Sequence, residues 1–257
     1  MYQIKLFNKI STVGTSRLDA AKYHCAEESD SYDAILVRSA KLHDTVFPKN
    51  CKCIARAGAG VNNIPLDRCA DEGIVVFNTP GANSNAVKEL VICGLLLASR
   101  KVVQGANWVQ SLSGTPDIGP AAEKGKATYA GPEIMGKKLG VIGLGAIGWK
   151  VANAAVALGM DVIGYDPYLS DASKAALDPE VAVVTLEEIF ADADYITVHV
   201  PLLDSTRSLI NAETIAKMKD GVRIVNFARG ELVDTAAMDA ALTAGKVAAY
   251  VCDFASE

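Results

Sequence analysis

The sequence predicts an α/β chain of parallel strands, arranged as two successive domains, and three observations carry that prediction. Short β-branched runs alternate with longer helical stretches along the whole chain, the pattern of βαβ units. The alternation breaks at Thr79-Pro80-Gly81-Ala82, which can continue neither a strand nor a helix, and then restarts. Half of the 257 residues are apolar and 21% are charged, an ordinary globular composition on a chain long enough for two cores.

In the first third the candidate strands are 4–7, 34–38, 53–57 and 74–78, several of them closing on Gly, Asn or Ser. After the break comes a helix over 84–100, where Val87, Leu90, Val91, Leu95 and Ala98 share one face at helical spacing. A polar, glycine-containing connector at 111–126 follows. Then strands are expected at 138–142, 161–165, 195–200, 223–227 and 248–252, with helices at 147–158, 186–190, 212–218 and 235–244 between them. The economical division is a first domain over 1–82 and a second over 83–257.

Composition narrows the function. The net charge is −5 and no Lys/Arg block interleaves with aromatics, which argues against a nucleic-acid surface. The longest apolar run, VICGLLLA at 91–98, is far below the ~20 residues that a bilayer requires. The amino-terminal MYQIKLFNKI lacks the character of a signal peptide, so a cytoplasmic protein without membrane partners is expected. Cys51 and Cys53 form C-x-C, but Cys25, Cys69, Cys93 and Cys252 are scattered and supply no second pair. Reduced, mostly buried thiols and no metal are the expectation.

One motif carries chemistry by its context. The run from Lys138 to Gly148, KLGVIGLGAIG, is a strand leading directly into G-x-G-x-x-G and a helix. Gly143 permits the tight turn, Gly145 removes a side chain where a pyrophosphate approaches, and Gly148 lets helix pack on strand. The phosphates would rest on N–H groups at the helix start, around Ala146, Ile147 and Gly148. The next strand ends in Tyr165-Asp166, and Asp166 stands 23 residues beyond the first glycine, close to where an acid binds the ribose of NAD and repels a 2′-phosphate. The cofactor expected is NAD, in a Rossmann-like domain.

Further segments resemble a known family. VRSA at 37–40, RAGAGVNNIPLD at 56–67, GIVVFNTPGANSNAVKELV at 73–91, GKKLGVIGLGAIG at 136–148, HVPLLDST at 199–206 and NFARGELVD at 226–234 are similar to the D-2-hydroxyacid dehydrogenases, nearest their phosphoglycerate dehydrogenase branch. The resemblance implies two Rossmann-like or flavodoxin-like parallel-sheet domains, one for substrate and one for NAD. The implied activity is NAD-dependent oxidation of 3-phospho-D-glycerate to 3-phosphooxypyruvate, the first step of serine biosynthesis. A glyoxylate or hydroxypyruvate reductase is the near alternative. A non-catalytic, NAD-binding interaction protein is the alternative of another class.

Oxidising a 2-hydroxy acid needs a cation for the carboxylate, a group polarising the C2 oxygen and a base for the hydroxyl proton. Arg229, just past a strand's carboxyl end, can clamp carboxylate and reacting oxygen with its planar fork. Arg38 and Arg56 each close a strand of the first domain and would hold the anionic end of the substrate, or else serve as structural ion-pair partners. By resemblance, Ser39 and the loop Gly58-Ala59-Gly60-Val61 also bind substrate, the loop through main-chain N–H groups. Likewise Tyr165, Val200, Pro201 and Thr206 would lie along the cofactor, Phe227 and Ala228 beside its nicotinamide, and Asp253 on the carboxamide. His199 ends a strand at the cofactor; the family's general acid/base is a different histidine, in a segment for which this sequence has no counterpart. Glu257 stands near where the family places that histidine's partner glutamate. A truncated form that binds NAD and turns over poorly is therefore the expectation, along with a homodimer through 84–130.

Overall fold

β-branched runs that are apolar at successive residues are satisfied only when both of their faces are covered, and the central strands of the second half show this directly. Leu139 and Val141 point into one buried cluster while Ile142 enters another, and Tyr195 and Ile196 divide in the same way. The structure is a computed structural model that describes residues 1–254. The chain falls into two compact units, Met1–Asn83 and Ser84–Glu257.

In the first unit the strands are β1 (Tyr2–Phe7), β2 (Tyr23–Ala26), β3 (Ala34–Val37), β4 (Cys53–Arg56) and β5 (Val75–Phe77), with short helices α1 (Thr12–Thr15) and α2 (Leu66–Asp71). All pairings are parallel and the order is β2-β1-β3-β4-β5, the doubly wound flavodoxin-like arrangement. Its core is one cluster built on Ile35, Val37, Ile54, Leu42 and Cys69, whereas Val75 and Phe77 of the edge strand are exposed.

The second unit opens with α3 (Ser84–Ser99), α4 (Val102–Ser111) and α5 (Ile118–Gly125). The alternating part is β6 (Lys138–Ile142), α6 (Gly148–Ala157), β7 (Asp161–Tyr165), α7 (Asp171–Ala176), β8 (Ala182–Val183), α8 (Leu186–Asp192), β9 (Tyr195–Val198), α9 (Ala212–Lys217), β10 (Val222–Asn226), α10 (Thr235–Thr243) and β11 (Val247–Cys252). The parallel sheet runs β11-β10-β9-β6-β7-β8, so the winding reverses between β6 and β9. That is the Rossmann order, and the crevice at the reversal is where such sheets bind ligands.

Two strands escape the sequence pattern. β2 and β8 are short and edge-placed: β2 is largely polar and exposed, and β8 takes only two exposed residues of the brief apolar run 181–184. The region expected as a polar connector, 111–126, holds α5, and α4 lies just before it where no element is expected; both helices bury none of their own residues and so carry no core periodicity. On α3 the buried stripe is Ser84, Val91, Gly94, Leu95 and Ser99, and Leu90 is 43% exposed. The stripe is turned because the helix approaches β10 through Gly94. A Cβ there would lie 3.0 Å from the Phe227 ring and 3.1 Å from Val225. The far end of α3 is tied to the sheet by a buried hydrogen bond of 2.8 Å between Ser99 Oγ and the Tyr195 hydroxyl, and by Arg223 Nε donating to Ala98 O at 3.0 Å.

Candidate active site

The glycine loop follows from close approach. Gly143, at φ 94°, ends β6 at the winding reversal, and a Cβ there would stand 2.9 Å from the His199 carbonyl carbon and 3.0 Å from Val200 N. Gly148 starts α6 so near the loop that a Cβ would lie 1.8 Å from Gly143 O. Both glycines are therefore required by the protein itself. Gly145 is exposed and a Cβ on it would meet nothing within 4 Å. Its bare backbone is thus a ready surface for a ligand to approach.

The helix begins at Gly148, slightly later than the sequence suggests, with Ile147 in the cap position and no side-chain hydrogen bond closing the end. Open N–H groups at a helix start attract anions. Asp166 follows β7 and has a structural duty besides any ligand role. Its Oδ2 accepts from Leu144 N and its Oδ1 from Tyr168 N, each at 2.9 Å. Gly143 N donates to Tyr165 O at 2.7 Å, so the whole glycine loop is held against the end of β7. A carboxylate offers about four lone-pair positions, which leaves acceptor capacity for a ribose diol.

Beyond β9, His199 sits with Nε2 3.0 Å from Thr197 Oγ1. Desolvation pushes its imidazole down to about 4, so it is neutral at ordinary pH. Thr206 turns inward on its own loop: its hydroxyl donates to Pro201 O at 2.7 Å and accepts from Leu203 N at 2.8 Å. In this structure the side chain expected on the cofactor shapes the loop that carries Val200 and Pro201.

Past β10, a residue the sequence reading passed over organises the site. Asn226 is fully buried, its Oδ1 accepts from Ala228 N at 3.0 Å, and its Nδ2 donates to Arg229 O at 2.8 Å. The short turn Phe227-Ala228-Arg229 is thereby braced at both ends. The Arg229 guanidinium folds back, Nη1 donating to Ala228 O at 2.6 Å. The only sequence signal was an Asn following a β-branched strand, a common turn former. A groove of about 790 Å³ lined by Arg207, Gly230, Asp234, Met238, Tyr250 and Phe254 includes none of the glycine-loop residues. Asp253 is exposed just beyond β11, and Glu257 lies outside the described residues.

In the first unit, Arg38, Arg56 and the loop after β4 gather at the carboxyl end of the sheet. Arg56 Nε donates to Arg38 O at 3.1 Å, and its guanidinium lies across Gly58, where a Cβ would fall 2.4 Å from Nη1. The Gly58 N–H, expected as a donor, is already engaged, and so is the Ser39 N–H. Gly58 N donates to Thr79 Oγ1 at 2.7 Å, and Ser39 N donates to Asn8 Oδ1 at 2.9 Å. The main-chain candidates narrow to Ala59, Gly60 and Val61. Asn78 Nδ2 holds the loop from behind by donating to Ala59 O at 2.7 Å, and Asn63 Nδ2 does the same for Ala40 O at 2.8 Å.

Residues 92–257 match the family model described as D-isomer specific 2-hydroxyacid dehydrogenase, NAD binding domain. The chain belongs to the D-isomer specific 2-hydroxyacid dehydrogenases. A hydroxypyruvate reductase of Thermotoga maritima is 43% identical over 224 residues, covering 86% of this chain and 68% of that protein. A D-3-phosphoglycerate dehydrogenase of Bacillus subtilis is 36% identical over 267 residues, covering 98% of this chain and 48% of that protein. The chain thus spans about two thirds of the first relative and about half of the second. Among solved structures, a glyoxylate reductase from Paecilomyes thermophila superposes with a TM-score of 0.79 at 29% identity, over 98% of this chain and 81% of that one.

NAD is the cofactor of the matched family domain, and the residues here fit it. The uncrowded Gly145, the uncapped start of α6 and the acid at the end of β7 are the three features a dinucleotide requires at this place.

Proposed function

We propose that the chain acts as an NAD-dependent oxidoreductase on 3-phospho-D-glycerate, giving 3-phosphooxypyruvate. The observation that carries the choice of substrate is the convergence of Arg38, Arg56 and the Ala59–Gly60–Val61 backbone at one sheet end of the first unit. The Arg56 guanidinium across Gly58, with Arg38 following the neighbouring strand, suits a substrate with an anion at each end. Relatives that are D-3-phosphoglycerate dehydrogenases support the reading.

The chain's own residues divide the work. Gly143, Gly145 and the N–H groups at Ala146, Ile147 and Gly148 seat the diphosphate, and Asp166 accepts from the adenosine ribose. Tyr165, Val200 and Pro201 flank the adenosine portion, with Phe227, Ala228 and Asp253 at the nicotinamide end. Arg229 orients the substrate carboxylate and polarises the C2 oxygen, swinging out of its contact with Ala228 O to do so. Bound NAD supplies the hydride acceptor. Glu257 is the proposed partner of a general acid/base. With this reading go a cytoplasmic location and a second copy of the chain docked on α4 and α5, whose Val102, Val103, Val109 and Ile118 are exposed.

A second reading, reduction of hydroxypyruvate or glyoxylate, is favoured by the 43% identity to a hydroxypyruvate reductase. Calorimetric titration with NAD, with NADP as control, followed by each acid on the NAD-loaded chain, separates the two. The expected result is NAD binding without NADP binding, then tighter binding of 3-phosphoglycerate than of hydroxypyruvate or glyoxylate. The reverse order of acids would overturn the phosphate reading. Failure to bind NAD would remove the basis of all the cofactor assignments.

A further inference from the structure

We infer that Lys150 is the cation that neutralises the cofactor's diphosphate in this chain; the inference rests on the NAD-binding reading above. The glycine loop itself supplies no positive side chain, since 143–149 reads Gly-Leu-Gly-Ala-Ile-Gly-Trp. Lys150 lies in the first turn of α6, and helical side chains lean back toward the amino-terminal end. A lysine is disfavoured there, because the helix already presents the positive end of its dipole.

What holds Lys150 sharpens the point. Its Nζ donates to Ser84 Oγ at 2.9 Å, and Ser84 is the first residue of α3 and buried. The ammonium therefore sits at the positive ends of two helices, α3 and α6, both longer than two turns. Its other close neighbour is the Trp149 ring, 5.3 Å from Nζ to centroid. Among the described residues it forms no ion pair, whereas other lysines such as Lys217, Lys219 and Lys246 each have a carboxylate. Three positive features converge with no anion paired to the ammonium among the described residues. A diphosphate seated on the uncapped start of α6 resolves that imbalance, and Lys150 exchanges its neutral hydroxyl partner for a charged one.

Four proteins test this by calorimetry with NAD and with ADP, which shares the diphosphate but lacks nicotinamide: the unaltered chain, Lys150→Met, Lys150→Arg and Ser84→Ala. Lys150→Met is expected to weaken both ligands about 10-fold, equivalent to ~1.4 kcal/mol, with its thermal midpoint retained. Lys150→Arg should recover most of the affinity, and Ser84→Ala should bind as tightly as the unaltered chain or more tightly. Raising the salt to about 1 M should shrink the difference between the unaltered chain and Lys150→Met, because screening removes the charge contribution. Unchanged NAD binding in Lys150→Met would overturn the inference. So would an equal loss in Ser84→Ala, which would make the pair a structural staple. An unaltered chain that bound no NAD would overturn the cofactor reading itself and this inference with it.

Discussion

The two units place a ligand loop at the carboxyl end of a parallel sheet by opposite means. In the second unit the loop after β6 is shaped by missing side chains. Gly143 and Gly148 let backbone meet backbone, and only Asp166 reaches in from outside. In the first unit the loops after β3 and β4 are shaped by side chains that bond to the main chain: Asn8 to Ser39 and Ala40, Thr79 to Gly58, Asn78 to Ala59. A loop made by close packing tolerates no added atom. A loop made by polar ties tolerates added bulk but not the loss of a tie. The second unit also buries a cluster on each face of its sheet, whereas the first has one.

The largest effect should come from placing a methyl group where backbone meets backbone. Gly148→Ala puts a Cβ 1.8 Å from Gly143 O, and the loop or helix must move. A loss of about 4 kcal/mol and a fall in thermal midpoint of about 10 °C are expected. A midpoint within about 2 °C of the unaltered chain would show the second loop to be as adaptable as the first.

Next is a split between stability and binding three residues away. A Cβ at Gly145 meets no protein atom within 4 Å, so in Gly145→Ala the thermal midpoint should hold while NAD affinity falls about 10-fold. Equal losses of both would mean that Gly145 is packed after all.

In the first unit the matching experiment removes a tie. Asn8 adopts φ 67° and accepts from Ser39 N at 2.9 Å and from Ala40 N at 2.6 Å. Asn8→Ala should cost about 2 kcal/mol, from the lost bonds and the left-handed backbone together, and Asn8→Gly about half of that. Amide hydrogen exchange should accelerate at residues 39 and 40 and not in β6.

The smallest effect is electrostatic. The folded-state pKa of His199, about 4, lies below its ordinary value of 6.5. The unfolded chain therefore binds more protons between those limits. The stabilisation from a neutral His199 is complete above pH 6.5 and is lost as the pH falls toward 4. His199→Gln should flatten the dependence of the thermal midpoint on pH across that window and leave it unchanged above pH 7. An unaltered slope would place the titration on another group.

Much of the second unit was legible because its signals are local. The strand, glycine turn and helix of 138–157 lie within one short stretch, and β6 and β7 start and end where the pattern puts them. Leu90 shows where local reading stops: it fits the helical stripe of α3, yet Gly94 rolls the helix so that Leu90 faces out. Asn8 shows the same limit in the first unit. Nothing in its neighbourhood announces a residue whose bonds lie beyond β3.

By itself the sequence determined the alternation of strands and helices, the break near residue 82, the glycine loop with its acid, and the family. All of these are written in spacing along the chain, and spacing sets backbone geometry directly. Only the tertiary structure decided which N–H groups of the first unit stay available, that Thr206 closes its own loop, that Asn226 braces Arg229, and that Lys150 meets α3 rather than a carboxylate. Each of these depends on which distant groups the fold brings within hydrogen-bonding distance of a polar atom. Periodicity carries no record of that.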